Sequence, residues 1–370
     1  MRTAKRTGVA IIALALVATG SAACSSSGSK PVDAGKLDLA PLGLDKTAEQ
    51  QMRDLYKKAV DGKQTKLVVY GPNQANNKAI NESFADRFPG IKVTAQPYTG
   101  AQLESRLATE FSTNKHIVDI VENTTYAYLE KGYYAKSTPF TAVKLPQEFR
   151  EKTGMLWGVS GTVFGFTYNN TKVKAAEAPA TWADLADPKW KGQIASGDPS
   201  QPSATSDLLL KLRAGGTIND DWLRRVKANQ LAVKSELELA NTAVAQGQYA
   251  ISLVNIYNFY AGDKKKGAPL TFVYPKDGVV IEPNYYGIMK GAPHQAAAEL
   301  YMNWLYAKEA QEGFAKLGTY PLMPGTRTGG DLPEMNTLKV LDTPDPTEMS
   351  KLWGPGTATL KKILGGSAAG

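Results

Sequence analysis

The chain has 370 residues, a formal net charge of +8, two histidines and a single cysteine. One cysteine excludes an intramolecular disulfide, His116 and His294 leave little for a histidine metal site or a catalytic triad, and after the N-terminus no apolar run has transmembrane length. The basic excess is spread out, with Lys264-Lys265-Lys266 its only dense run and no interleaved aromatic stripe, so nucleic acid is not an expected partner.

Arg2, Lys5 and Arg6 precede a short apolar core, Val9 to Ala18, and Ser21-Ala22-Ala23 lead into Cys24. The core is too short for a stable bilayer span, and its flanks read as an export signal. Small residues before a lone cysteine resemble a bacterial lipobox, which implies acylation of Cys24 and a protein held on the extracytoplasmic face of the cell membrane. Ordinary secretion with a free thiol is the alternative. Residues 1–23 are thus expected to be a signal peptide, and 24–45 a lipidated cysteine with a flexible tether, its flexibility carried by the Ser25–Ser29 run. About 345 residues then remain with a charge of about +5, enough for two lobes.

Thr47 with Gln50 reads as a capping box, and Met52, Leu55, Tyr56, Ala59 and Val60 share a helical face. Lys66–Tyr70 is a strand ended by Gly71-Pro72. Ile80, Phe84 and Phe88 mark a helix stopped by Pro89-Gly90, and Ile91 to Ala95 is a second strand. Leu103, Leu107 and Phe111 mark a helix, and Ile117 to Val121 a third strand. The rhythm restarts after Gly161, with extended segments at Val163–Tyr168, Ile194, Ala250–Val254 and Val279–Met289. Helices are expected around Leu208–Leu212, Trp222–Val226, Ala296–Tyr306 and Ala310–Leu317. Gly318 to Pro333 reads as a surface excursion.

Alternation of strand and helix predicts an α/β fold with open, mainly parallel sheets. Two long extended crossings would join two lobes, with residues 46–162 plus 283–370 in lobe 1 and 163–282 in lobe 2. Ligands of such sheets sit beyond the carboxyl ends of strands, which places residues just after Tyr70 and Val254 at the cleft.

Four segments then resemble the ferric-binding-protein branch of extracellular solute-binding proteins, the receptors of ABC importers. They are Lys66-Leu67-Val68-Val69-Tyr70, Thr167-Tyr168-Asn169-Asn170, Thr181–Leu185 running on to Asp187-Pro188-Lys189-Trp190-Lys191-Gly192, and Gly247–Asn255. The resemblance implies a two-lobed, periplasmic-binding-protein-like (type II) clamshell with a two-strand hinge, working as a monomer. Each lobe would be a mixed, mainly parallel sheet flanked by helices. It would capture a small solute and pass it to a permease and its ATPase, with no enzyme activity and no required cofactor. Trp182 and Trp190 are expected to pack within a lobe.

Iron-binding members hold the ferric ion through two consecutive tyrosines after a Val-Asn strand end, with a Glu and often a His from the other lobe. A hard trication prefers anionic oxygen, which suits phenolate. Here Val254-Asn255 leads to Tyr257, which matches the first tyrosine, whereas Asn258 stands in the second place and Tyr260 lies further on. Gln74 falls about where the His would be and Thr124 about where the Glu would be, with Glu122 nearby. The family's anion site maps onto Ser203, Ala204 and Thr205 at a helix start, together with Asn255. The candidate ligand residues are therefore Tyr70, Asn73, Gln74, Ser203, Ala204, Thr205, Asn255, Tyr257 and Tyr260, with Tyr257 the candidate metal ligand. The expected cargo is a phosphate- or phosphonate-like anion, or Fe3+ with a synergistic anion.

A secreted lipoprotein hydrolase and a non-transport binding module are the competing functions. Neither a His-Glu-x-x-His nor a Gly-x-Ser-x-Gly motif is present.

Overall fold

The computed structural model describes residues 30–365 except 124–126, 202 and 345. The expected signal peptide, Cys24 and Thr124 lie outside the described residues. In chain order the elements are α1 (Lys46–Asp61), β1 (Lys66–Tyr70), α2 (Lys78–Arg87), β2 (Lys92–Gln96), α3 (Gly100–Ser112), β3 (Ile120–Asn123), α4 (Ala127–Glu130) and the long β4 (Trp157–Asn169). There follow β5 (Ile194–Gly197), α5 (Ala204–Ala214), α6 (Asp220–Ala228), β6 (Ala232–Lys234), α7 (Leu237–Ala245), β7 (Ile251–Ile256), α8 (Tyr257–Lys265) and β8 (Leu270–Val273). The last elements are β9 (Val280–Ile288), α9 (Gln295–Trp304), α10 (Lys308–Lys316), β10 (Tyr320–Pro321) and α11 (Pro346–Leu364).

The strands form one sheet in the order β2-β1-β3-β9-β4-β7-β5-β6, with β8 and β10 also paired to β4. β1, β2 and β3 run parallel, as do β5, β6 and β7, so each half presents a row of strand carboxyl ends. Between the halves run β4 and β9, antiparallel to each other from Trp157 opposite Tyr286 to Phe164 opposite Val280. These are the two extended crossings expected from the sequence. β1 reads Leu-Val-Val-Tyr and is buried on both faces, as a central parallel strand must be.

Two apolar cores lie on either side of the first half of the sheet, the larger reaching on to Tyr257, Tyr260 and Phe272, and a third fills the second half. Trp182 and Trp190 are buried in that third core, as expected, and Trp182 Nε1 donates to the Gly278 carbonyl at 2.9 Å.

Four expectations differ from the fold. α1 is capped by Asp45, whose carboxylate accepts from Ala48 N–H, rather than by Thr47. Residues 30–45, expected within a flexible tether, pack on the body: Leu37, Leu39 and Leu42 are buried, and the Arg53 guanidinium donates to the Ala34 carbonyl. The chain end, grouped with the first lobe, crosses back. α11 packs on α5 and α6, because Leu360 and Leu364 find their apolar surface among Leu208, Leu212 and Val226. The Gly318–Pro333 stretch is also less superficial than expected, since β10 pairs with β4 and Tyr320, Leu322 and Leu332 are buried.

Candidate functional site

A cavity of about 280 Å³ opens where the two rows of strand ends meet. From the first half come Asn73, Asn76, Asn77 and Glu122, from the crossing strands Ser160, Thr162 and Asn284, and from α8 comes Asn258, opposite Leu317 and Thr319. Apart from Leu317, the wall is made of amides, hydroxyls and one carboxylate. No tyrosine lies on it.

Two helix N-termini reach this cavity from opposite halves. Asn77 is the N-cap residue of α2 and Ile256 that of α8; neither helix has a side-chain cap or an acidic residue in its first turn. First-turn N–H groups have no intrahelical acceptor, and the helix dipole makes both ends positive.

Glu122 anchors the first-half wall. It is the penultimate residue of β3, is 1% exposed, and accepts from Asn73 Nδ2 and Gln74 Nε2 at 2.7 Å each. Burial pushes its carboxyl up to about 6, although these amide donors pull the other way. The network continues inward: Asn77 Nδ2 donates to the Tyr286 hydroxyl at 3.0 Å, Asn81 Nδ2 to Gln74 Oε1, and the Tyr301 hydroxyl to Asn81 Oδ1. Gly71 permits the close approach, since a Cβ there would fall 2.6 Å from Glu122 Cβ.

Of the residues singled out from the sequence, Asn73 lines the cavity; its amide also approaches Asn284 Oδ1 at 3.4 Å. Gln74 sits behind the wall, 2% exposed, with its amide spent on Glu122. Tyr70 is corrected. Its side chain faces the core opposite α3, where its hydroxyl donates to Glu110 at 3.0 Å and its pKa rises to about 12 through burial. Tyr257 is packed against Tyr260, Phe272 and Tyr274, and its hydroxyl accepts from Asp331 N–H at 3.1 Å. Tyr260 is buried in the same cluster. Neither phenol lines the cavity. Among the described residues no group of three His, Cys, Asp or Glu side chains could hold a metal ion.

Ser203 caps α5 in a reciprocal box with Ser206, so its hydroxyl is committed. Ala204 and Thr205 form the first turn behind it. Thr205 Oγ1 is buried with no hydrogen-bond partner in the protein, lying so near β5 that a Cβ at Gly197 would sit 2.7 Å from it. Asn255 is fully buried: its Oδ1 accepts from Asn241 Nδ2 and from Ile256 N–H, and its Nδ2 donates to Thr167. It holds β7 to α7 and β4 instead of facing a solute.

Sequence reasoning missed Asn76, Asn77, Ser160, Thr162, Asn284 and Thr319, and treated Asn258 only as a lost tyrosine. The available signal was the run Asn73-Gln74-Ala75-Asn76-Asn77 directly after a strand end.

A single sheet whose halves are joined by two crossing strands, with a polar cavity between the strand ends, defines a two-lobed, type II solute-binding clamshell. The chain belongs to the family described as bacterial extracellular solute-binding protein, whose model matches residues 121–344. It is similar to a protein named Fe(3+)-binding periplasmic protein from Serratia marcescens, 26% identical over 292 residues that make up 75% of this chain and 84% of that one. Among solved structures it is similar to a Trichodesmium protein in complex with iron and citrate (TM-score 0.69, 21% identity, 80% of this chain and 99% of that one). It is also similar to AfuA from Actinobacillus pleuropneumoniae with bound fructose-6-phosphate (TM-score 0.64, 19% identity, 80% of this chain and 98% of that one). The resemblance to ferric-binding-protein-like receptors holds.

Proposed function

We infer that the protein is the lipid-anchored receptor of an ABC importer and that its cavity takes a small solute bearing a phosphate- or phosphonate-like group. The observation that carries this reading is the meeting of two uncapped helix N-termini, from α2 and α8, at one amide-lined cavity. Such ends favour an anion without any metal. The amides of Asn73, Asn76 and Asn258, with Glu122 behind them, suit hydroxyl or amino groups on the rest of the solute. The orphan hydroxyl of Thr205, in the first turn of α5, supports a polar role for the second half as well. Closure of the lobes on β4 and β9 would trap the solute for delivery to the permease.

Ferric cargo is the second reading, favoured by the iron named for the Serratia marcescens relative and the Trichodesmium structure. Asn258→Asp separates the two because it moves them in opposite directions. A carboxylate in the first turn of α8 competes with an anionic solute and supplies a hard oxygen to a cation. Calorimetric titration with inorganic phosphate, 2-aminoethylphosphonate and a sugar phosphate should find binding by at least one of them, weakened at least tenfold (about 1.4 kcal/mol) in Asn258→Asp. Affinity for ferric citrate that rises in the variant, with no anion bound by either protein, would replace the anion with iron.

A further inference from the structure

The strand ends opposite the cavity form a second surface. Because β1 and β2 are parallel, their first residues, Lys66 and Lys92, lie side by side on that edge. Lys63 ends the turn before β1, and Lys115 ends the turn after α3, just ahead of β3. β9 is antiparallel to β3, so its far end brings Lys290 to the same edge; there the neighbouring Gly291 lies against His116. The chain itself also enters here. Pro31 lies against Gly90, and Val32 N–H donates to the Tyr56 hydroxyl, which leaves Lys30 on this rim.

All six lysines are exposed, and among the described residues none has a carboxylate within ion-pair distance. Of the acids at this edge, Asp61 is paired with Lys57, the buried Asp119 carboxylate is taken up by Val68 N–H and His294, and the buried Glu110 carboxylate by Arg106 and the Ile117 and Val118 N–H groups. A face this rich in unpaired ammonium groups is not required by packing and repels itself unless it meets an anion surface.

We propose that this basal face of the first lobe docks on the anionic phospholipid headgroups of the bilayer. Two facts select the bilayer as occupant: the charge of the face, and the point at which the chain enters it. If Cys24 carries the acyl anchor, only Cys24 to Ser29 separate the lipid from the docked segment, at most about 20 Å of chain. The face nearest that entry is then held within reach of the surface, where each lysine contributes to attraction and salt screens it. β1 and β3 run from this face up to Gly71 and Glu122, so docking leaves the cavity off the bilayer and open to solute. Basal docking would hold the receptor upright during capture and compete with movement onto the permease.

The inference rests on the anchor reading only for the direction of approach, and the test separates the two. Residues 24–370 with Cys24→Ser, which carry no acyl chain, are sedimented with vesicles of phosphatidylglycerol and phosphatidylcholine, or of phosphatidylcholine alone. Binding is expected to the anionic vesicles only, to vanish in 0.5 M salt on the order of a Debye length of 4 Å, and to fall more than about a hundredfold in Lys63→Gln/Lys66→Gln/Lys92→Gln/Lys115→Gln, roughly fivefold per lysine. The pair Lys66→Gln/Lys92→Gln should give an intermediate loss, and circular dichroism reports the fold of each variant. Equal binding to both vesicle types, no binding to the anionic ones, capture by a soluble polyanion alone, or unchanged binding in both variants would overturn the proposal. The mass of the exported full-length protein independently reports whether Cys24 is acylated.

Discussion

At the scale of single residues, it is the position after Tyr257 that reaches the cavity. Sequence matching assigned ligand duty to Asn255 and Tyr257, which the fold buries. Their side chains look like ligands because Asn and Tyr are polar, but in a packed strand end the same groups satisfy buried backbone and amide partners. Asn258, one residue on, is where α8 turns its first residues to the cavity. The period of a short helix start could not be read from one sequence.

Glu122 is the residue whose titration should be visible. Its carboxyl is raised from 4.5 to about 6 by burial, so the native state holds a proton that the unfolded chain has lost. Its contribution to stability is therefore full below pH ~4.5 and disappears as pH rises through ~6, a loss of about 2 kcal/mol. Denaturant unfolding from pH 4 to 7 should show that Glu122→Gln removes about this much of the downward slope. Parallel curves for both proteins would show that Glu122 titrates in the native state as it does in the unfolded chain.

At the scale of elements, long periodic segments were legible and their partners were not. The strand at Lys66–Tyr70 and the crossing at 279–289 follow from composition, because β-branched runs bounded by Gly and Pro admit little else. Residues 30–45 read as a tether because they are short and carry Pro and Gly. Only the fold reveals that Leu37, Leu39 and Leu42 have a surface to bury against.

The ion triad that ties α5 to β9 was equally hidden, since Glu282 lies 71 residues from Lys211 and 75 from Asp207. Lys211 Nζ lies 2.6 Å from Asp207 and 2.9 Å from Glu282, and its side chain is 7% exposed. Burial and the Glu282 charge push the Asp207 carboxyl up to about 7, against the pull of Lys211. Lys211→Met leaves two carboxylates together without a cation and should cost about 3–5 kcal/mol at pH 8. The cost should shrink toward pH 5, where Asp207 takes up a proton. A loss below about 1 kcal/mol, or one that does not vary with pH, would mean that solvent reaches the triad.

At the scale of the whole molecule, the alternation of strands and helices and the two long crossings give the two-lobed plan from sequence alone, because parallel strands need helical crossovers and carry their sites at carboxyl ends. What each end of the sheet presents depends on which residues the fold brings to that edge. Asn73, Asn258 and Asn284 come from distant parts of the chain to one cavity, while Lys66, Lys92 and Lys290 gather at the other end.

The most direct test of an anion-binding receptor is the native mass spectrum of the protein purified from its own envelope without added ligand, compared with the spectrum after unfolding. The expected result is a small bound mass containing phosphate or phosphonate, released on unfolding, from a colourless protein. A bound iron atom with no such anion, from a protein coloured by phenolate-to-iron charge transfer that Tyr257→Phe abolishes, would contradict it.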